Sequence, residues 1–173
     1  MLLFSNSGVD FEVAQKYLPA ATWGCGQENA YLTLFKAILQ TEPYQPGYRY
    51  GNLKYLALNV KGVDLADTTK LEEAIQAYCD KNGYTLLPYD VQLLIEEGYL
   101  EPRHIWYEDG EEFIDYWFEN GAFINWGGTL TKNTFAAGGG GWRSDGSAFF
   151  CDYEVRRIGC IWFVANRGPI AIA

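Results

Sequence analysis

Apolar side chains in this chain first recur at helical spacing and then, after Gly121, give way to short runs broken by glycine. Ser7 or Asp10 is placed to cap a short helix carrying Phe11, Val13, Ala14 and Leu18, which Pro19 closes. Ala30, Tyr31, Leu34, Phe35, Ile38 and Leu39 mark one face of a helix over 26–40, ended by Pro43 and Pro46. Leu53–Val60 has strand length and composition. The clearest helix spans 67–82. Asp67 or Thr68 accepts from its first-turn amides, Leu71, Ala74, Ile75 and Tyr78 line a face, and Asn82-Gly83 stops it. Another starts at Pro88-Tyr89-Asp90, with Val91, Leu94 and Ile95 inward and Gly98 closing it. A third is predicted from near Gly110, where Phe113, Ile114, Trp117 and Phe118 form the stripe and Asn120-Gly121 the stop.

Beyond Gly121, Ala122–Trp126 is a short strand, and Gly138–Gly141 reads as a hairpin tip or long loop. Ser147–Tyr153 and Arg157–Ala165 read as paired strands, with Ile170–Ala173 as an added edge. The pattern therefore predicts an α+β fold, with helices in the first two thirds (about 8–120) packed on a C-terminal antiparallel β-sheet (about 121–173). At 173 residues, 49% of them hydrophobic, one domain over 1–173 with its own core is expected.

Charge sharpens the picture. Residues 1–60 carry four acids and four bases, 61–120 carry fifteen acids and four bases, and 121–173 carry three acids and five bases. The overall charge of -9 thus belongs to the middle third and argues against direct nucleic-acid binding. No run of about 18 apolar residues predicts a membrane span. Met1–Phe4 is too short an apolar stretch for a secretory signal, so a cytoplasmic location is expected.

The four cysteines lack the close pairing of zinc ligands, and His104 is the only histidine; no metal or cofactor is expected. Cys151 and Cys160 flank a turn and either face each other or stay as buried thiols. Cys25, in Gly24-Cys25-Gly26 before an apolar helix, is a candidate nucleophile with His104 as its base. That pair carries the alternative reading, a cysteine-dependent hydrolase or transferase; the competing reading of Cys25 is a small residue in a tight loop-to-helix junction. Gly138–Gly141 is no phosphate loop, because no Gly-Lys-Ser/Thr follows.

The principal candidate surface is acidic: Glu96, Glu97, Glu101, Glu108, Asp109, Glu111 and Glu112, with Trp106 and Tyr107 as anchors. Glu111 and Glu112 also read as first-turn acids of the 110–118 helix. Arg143, Arg156, Arg157 and Arg167 stand near Trp142, Tyr153 and Trp162, and are expected to pair with the acidic middle third, within one molecule or between copies of a homo-oligomer. Residues 80–99 also read as a helix-turn-helix, but exposed Asp90, Glu96 and Glu97 have the wrong sign for a DNA groove.

The stretch from Asp80-Lys81-Asn82-Gly83-Tyr84 to Gly98-Tyr99-Leu100 resembles the segment after the long helix of type IV pilins and pseudopilins. It covers about twenty residues and excludes that family's apolar N-terminal helix. The resemblance implies an extracellular or pilin-like module that binds glycans or surfaces through aromatics. Taken together, the residues favour a small acidic protein that binds a protein partner with a basic surface. Inhibitors, immunity factors and phage-type accessory proteins are its class.

Overall fold

Caps and strand alternation divide the chain into four helices and nine strands among the residues described by the computed structural model, 8–45, 51–144 and 147–172. In order they are α1 (Phe11–Lys16), β1 (Thr22–Trp23), α2 (Glu28–Leu39), β2 (Tyr55–Leu58), α3 (Thr69–Asn82), β3 (Thr85–Leu87), α4 (Val91–Glu96), β4 (Leu100–Glu108), β5 (Glu111–Phe118), β6 (Gly121–Leu130), β7 (Thr134–Ser144), β8 (Ser147–Ile158) and β9 (Ile161–Ile172). Ser7, Pro46 and Ala173, which figure in the expected caps and ends, lie outside the described residues.

The helices begin and end for local reasons. The Asp10 carboxylate accepts from the amides of Glu12 and Val13 to start α1. Asp67 accepts from the Thr69 amide at 3.0 Å ahead of α3, and Gly83, at φ 77°, ends that helix with its amide on the Cys79 carbonyl. Asp90 caps α4 through the Leu93 amide, and Gly98 follows it at φ 77°. Helix α2 differs: nine of its residues are buried, including Tyr31, Phe35 and Ile38, so it is covered nearly all round.

Seven strands form one sheet in the order β1-β9-β8-β7-β6-β2-β3, and β4 pairs with β5 in a separate hairpin. Strand β2 runs parallel to both β3 and β6, so β2-α3-β3 is a crossover unit; the other ladders are antiparallel. Alternation then builds two cores. Leu56, Leu58, Ile124, Trp126, Phe135, Tyr153 and Trp162 pack with α2 and α3 on one face. Ala57 and Phe123 pack on the opposite face with Leu94 of α4 and with Leu100 and Phe118 at the hairpin base.

Mixed α+β architecture is present, with strand outweighing helix. Three expectations change. The sheet is mixed rather than antiparallel and recruits strands from Thr22 onward, because the crossover through α3 delivers β3 beside β2. Residues 111–118 form strand β5 rather than a helix: Asp109 and Gly110 take φ 51° and 83°, the geometry of a two-residue hairpin turn whose strands pair Glu108 with Glu111. Gly138–Gly141 is the interior of β7 rather than a loop. A Cβ at Gly139 would meet Ile38 of α2, and one at Gly141 would run into the Tyr44 hydroxyl and stand 3.0 Å from the Phe123 carbonyl. These glycines are where α2 and its following turn sit against the sheet.

A polar network ties the ends of the chain to this core. Thr41 bonds Tyr153 at 2.7 Å, Tyr17 lies 3.3 Å from Thr41, and Arg167 donates to Tyr17 and, at 2.6 Å, to Glu42, which also pairs with Lys16. Burial alone would raise the Glu42 carboxyl, but bonds from Lys16, a backbone amide and Arg167 outweigh it and hold the pKa down to about 2 from 4.5. Because the folded value is the depressed one, this stabilisation is complete above pH 4.5 and disappears as pH falls toward 2. Glu42→Gln should flatten the fall in urea-unfolding free energy across that window, and an unchanged slope would show that Glu42 does not drive it.

Packing at β7 makes a second prediction. Gly141→Ala should lower stability by about 1–3 kcal/mol through overpacking. Gly138→Ala on the open face, where a Cβ meets only Asp152 at 3.6 Å, should be neutral or better. Paired urea midpoints read the difference.

Candidate functional site

Of the expected contact residues, seven belong to one projecting element. The β4–β5 hairpin is anchored at its base by Leu100 and Phe118, opposite each other in register and both buried. Phe118 lies 5.1 Å from Phe123, which stacks on Trp142 at 4.0 Å. From that anchor the ribbon runs nine residues, roughly 30 Å, and Glu101–Ile105 and Tyr107–Phe113 are exposed along it.

Alternation gives the arm two faces. On one, His104 stacks on Trp106 and Trp106 on its cross-strand partner Phe113, at 5.8 Å and 5.7 Å, and nearer the base Arg103 lies 4.3 Å from the Trp117 ring. On the other, Ile105 pairs with Ile114, and Tyr107, 70% exposed, donates to Glu112. The tip is acidic: Glu108, Asp109, Glu111 and Glu112 crowd around Gly110, with Glu108 and Glu111 directly opposite. Like charges in that position weaken a ladder. With no helix here, the reading of Glu111 and Glu112 as dipole-matching acids lapses. Glu101 stands near the base of the arm, and Glu96 and Glu97 end α4 beside it, where carboxylates oppose the helix dipole.

The chemical alternative fares differently. Cys25 is bonded to Cys160, 135 residues away, so its sulfur is held in a disulfide, and His104 stands on the separate hairpin. Closing so long a loop contributes about 5 kcal/mol in the chain-entropy account. Of the two readings of Cys151 and Cys160, the facing pair does not form and the buried thiol holds for Cys151 alone: Cys160 sits in the β8–β9 turn beside β1, bonded to Cys25, while Cys151 points into the core. Cys79 and Cys151 are free and buried. Burial, with Asp80 adding to it, pushes the Cys79 thiol up to about 11, and burial raises Cys151 also. Neither is an activated nucleophile.

Three of the C-terminal arginines find partners within the chain. Arg167 reaches Glu42, Arg156 reaches Glu154, and Arg157 donates to the Cys25 carbonyl and to Asn133. These partners lie outside residues 61–120.

One further site had no forerunner in the sequence. At the carboxyl ends of β2 and β3, a groove of about 730 Å³ is floored by Leu58, Ile75 and Leu86 and walled by Glu72, Glu73 and Asp80 of α3. Tyr89 closes its far side and donates to Asn125, which Asn59 also contacts. Only the crossover fold assembles it. Among the described residues, no group of three or more His, Cys, Asp or Glu is placed to hold a metal ion, and no helix is long and apolar enough to cross a membrane.

Compared with protein-family models, with curated proteins and with solved structures, the chain matches none of them. The pilin-like stretch is local: it comprises the end of α3, β3 and the short α4.

The arm's residues should separate by depth. Phe118→Ala should cost about 3–5 kcal/mol, as for a buried aromatic. Trp106→Ala, further out on the ribbon, should cost under about 1 kcal/mol. Equal losses in urea unfolding would show the outer rungs to be part of the core.

Proposed function

We propose that this protein binds a protein partner bearing a basic surface, using the β4–β5 arm as its contact element. The supporting observation is the tip, where Glu108 opposes Glu111 across the turn beside Asp109 and Glu112. This arrangement costs local stability, since the four carboxylates repel and the two opposed acids weaken the ladder. A cationic surface would relieve that repulsion. The exposed Ile105, Tyr107 and Phe113 supply apolar anchors, in keeping with a ribbon that isolated from other structure is marginal in water. Glu96, Glu97 and Glu101 extend the acidic surface toward the base. An inhibitory, immunity or accessory role would follow from the partner it occupies.

The Cys25–Cys160 bond favours an oxidising location over the expected cytoplasm. The same bond, with the His104–Trp106–Phe113 stack, supports a second reading in which an extracellular module stacks sugar rings on the arm.

Salt separates the two. Pull-downs from the native host with the wild type and with a tip variant carrying Glu108→Gln, Asp109→Asn, Glu111→Gln and Glu112→Gln should yield a partner that the variant loses and that releases as salt rises. A captured partner indifferent to both changes would overturn the acidic-arm reading. Retention on immobilised glycan that resists salt but fails in Trp106→Ala would establish the second.

A further inference from the structure

We propose that the groove between α3 and β3 binds a basic-aliphatic peptide segment of a partner protein, at a site separate from the arm. Two features of the fold converge there. The space, about 730 Å³, is of ligand-site size, and its floor of Leu58, Ile75 and Leu86 is apolar. It opens at the carboxyl ends of the parallel strands β2 and β3, where crossover folds leave a crevice.

Charge selects the occupant. Glu72, Glu73 and Asp80 line the helical wall, against Lys61 as the single cation of the lining. Glu72 accepts from Thr68 at 2.5 Å and Asp80 from Gln76 at 2.7 Å, each through one oxygen, and the second oxygen of each carboxylate remains able to accept. A segment carrying both kinds of side chain would set its aliphatic groups on the floor and bring lysine or arginine to the carboxylates of the wall. An acidic segment would meet three like charges.

The test is a displayed library of random octapeptides panned on the intact disulfide-bonded chain, followed by titration of the selected peptide into isotopically labelled protein. Peptides combining Val, Ile or Leu with Lys or Arg should be enriched, and amide shifts should move at 58–61, 72–80 and 86–89. Glu73→Lys with Asp80→Lys should weaken the selected peptide at least tenfold at low salt, and Glu73→Gln with Asp80→Asn at least threefold. Both positions are exposed, so the variants should keep the wild-type circular dichroism. The four-residue tip variant should bind the peptide as the wild type does, so failure here and failure of the arm are told apart. No consensus, an acidic consensus, affinity indifferent to both double variants, or shifts confined to 101–117 would each overturn the proposal.

Discussion

The close seat of α2 on β7 is the contact from which the rest of this fold is built. Ile38 takes the space that a side chain at Gly139 would fill, and the Tyr44 hydroxyl takes that of Gly141. A helix can approach a sheet so nearly only where the strand has no Cβ, and dispersion attraction falls steeply with any added gap. With α2 sunk into the sheet, Tyr31 and Phe35 reach Trp126, and Phe35 also reaches Tyr78 on α3. One face of the sheet is thereby sealed. Strand alternation then commits Ala57 and Phe123 to the other face, which α4 and the hairpin base must cover. The arm stands where it does because Phe123 needs Phe118 and Trp142.

How far the chain could be read follows from this. Helix α3 was legible because its cap, stripe and left-handed stop are all local, and α2 because its apolar spacing is dense. The 111–118 segment carries two conflicting local signals. Phe113, Ile114, Trp117 and Phe118 fit a helical stripe, yet Asp109-Gly110 between two aromatic, β-branched runs is also a hairpin turn signal. The turn was the better guide, since its left-handed residues leave few alternatives. The glycine run misled in the opposite sense: glycine marks flexibility when nothing approaches it and close packing when something does, and only tertiary structure tells which. The Cys25–Cys160 pairing was out of reach, because spacing alone does not give connectivity. Of the candidate surface, the acidic positions are legible in the sequence, whereas their arrangement on a hairpin is not.

That shape alters what the acids mean. On a helix, Glu111 and Glu112 would have complemented a dipole and needed no further explanation. On the tip of a ribbon, with Glu108 facing Glu111, the same residues oppose the structure that carries them. Evolutionary drift toward solvated surfaces places acids broadly; it does not by itself stack them where they repel. The groove carboxylates are less conspicuous, since Glu72 and Asp80 each satisfy one oxygen within α3 and cost the fold little.

The two surfaces also differ in how much order a partner would find. The groove is framed by α3, β2 and β3, all fixed by the main core, so binding there immobilises little of this chain. The arm is held along its base, by Leu100, Phe118 and Tyr116, while 107–113 stand exposed on a two-stranded ribbon, a structure that is marginal without further support. A partner gripping the tip must offset that ordering entropy, and exposed ion pairs alone are weak. The acids would therefore steer and orient, while Trp106, Tyr107 and Phe113 would have to supply the area that makes a complex last. An arm with the same charges and no aromatic rungs would meet its partner quickly and let it go.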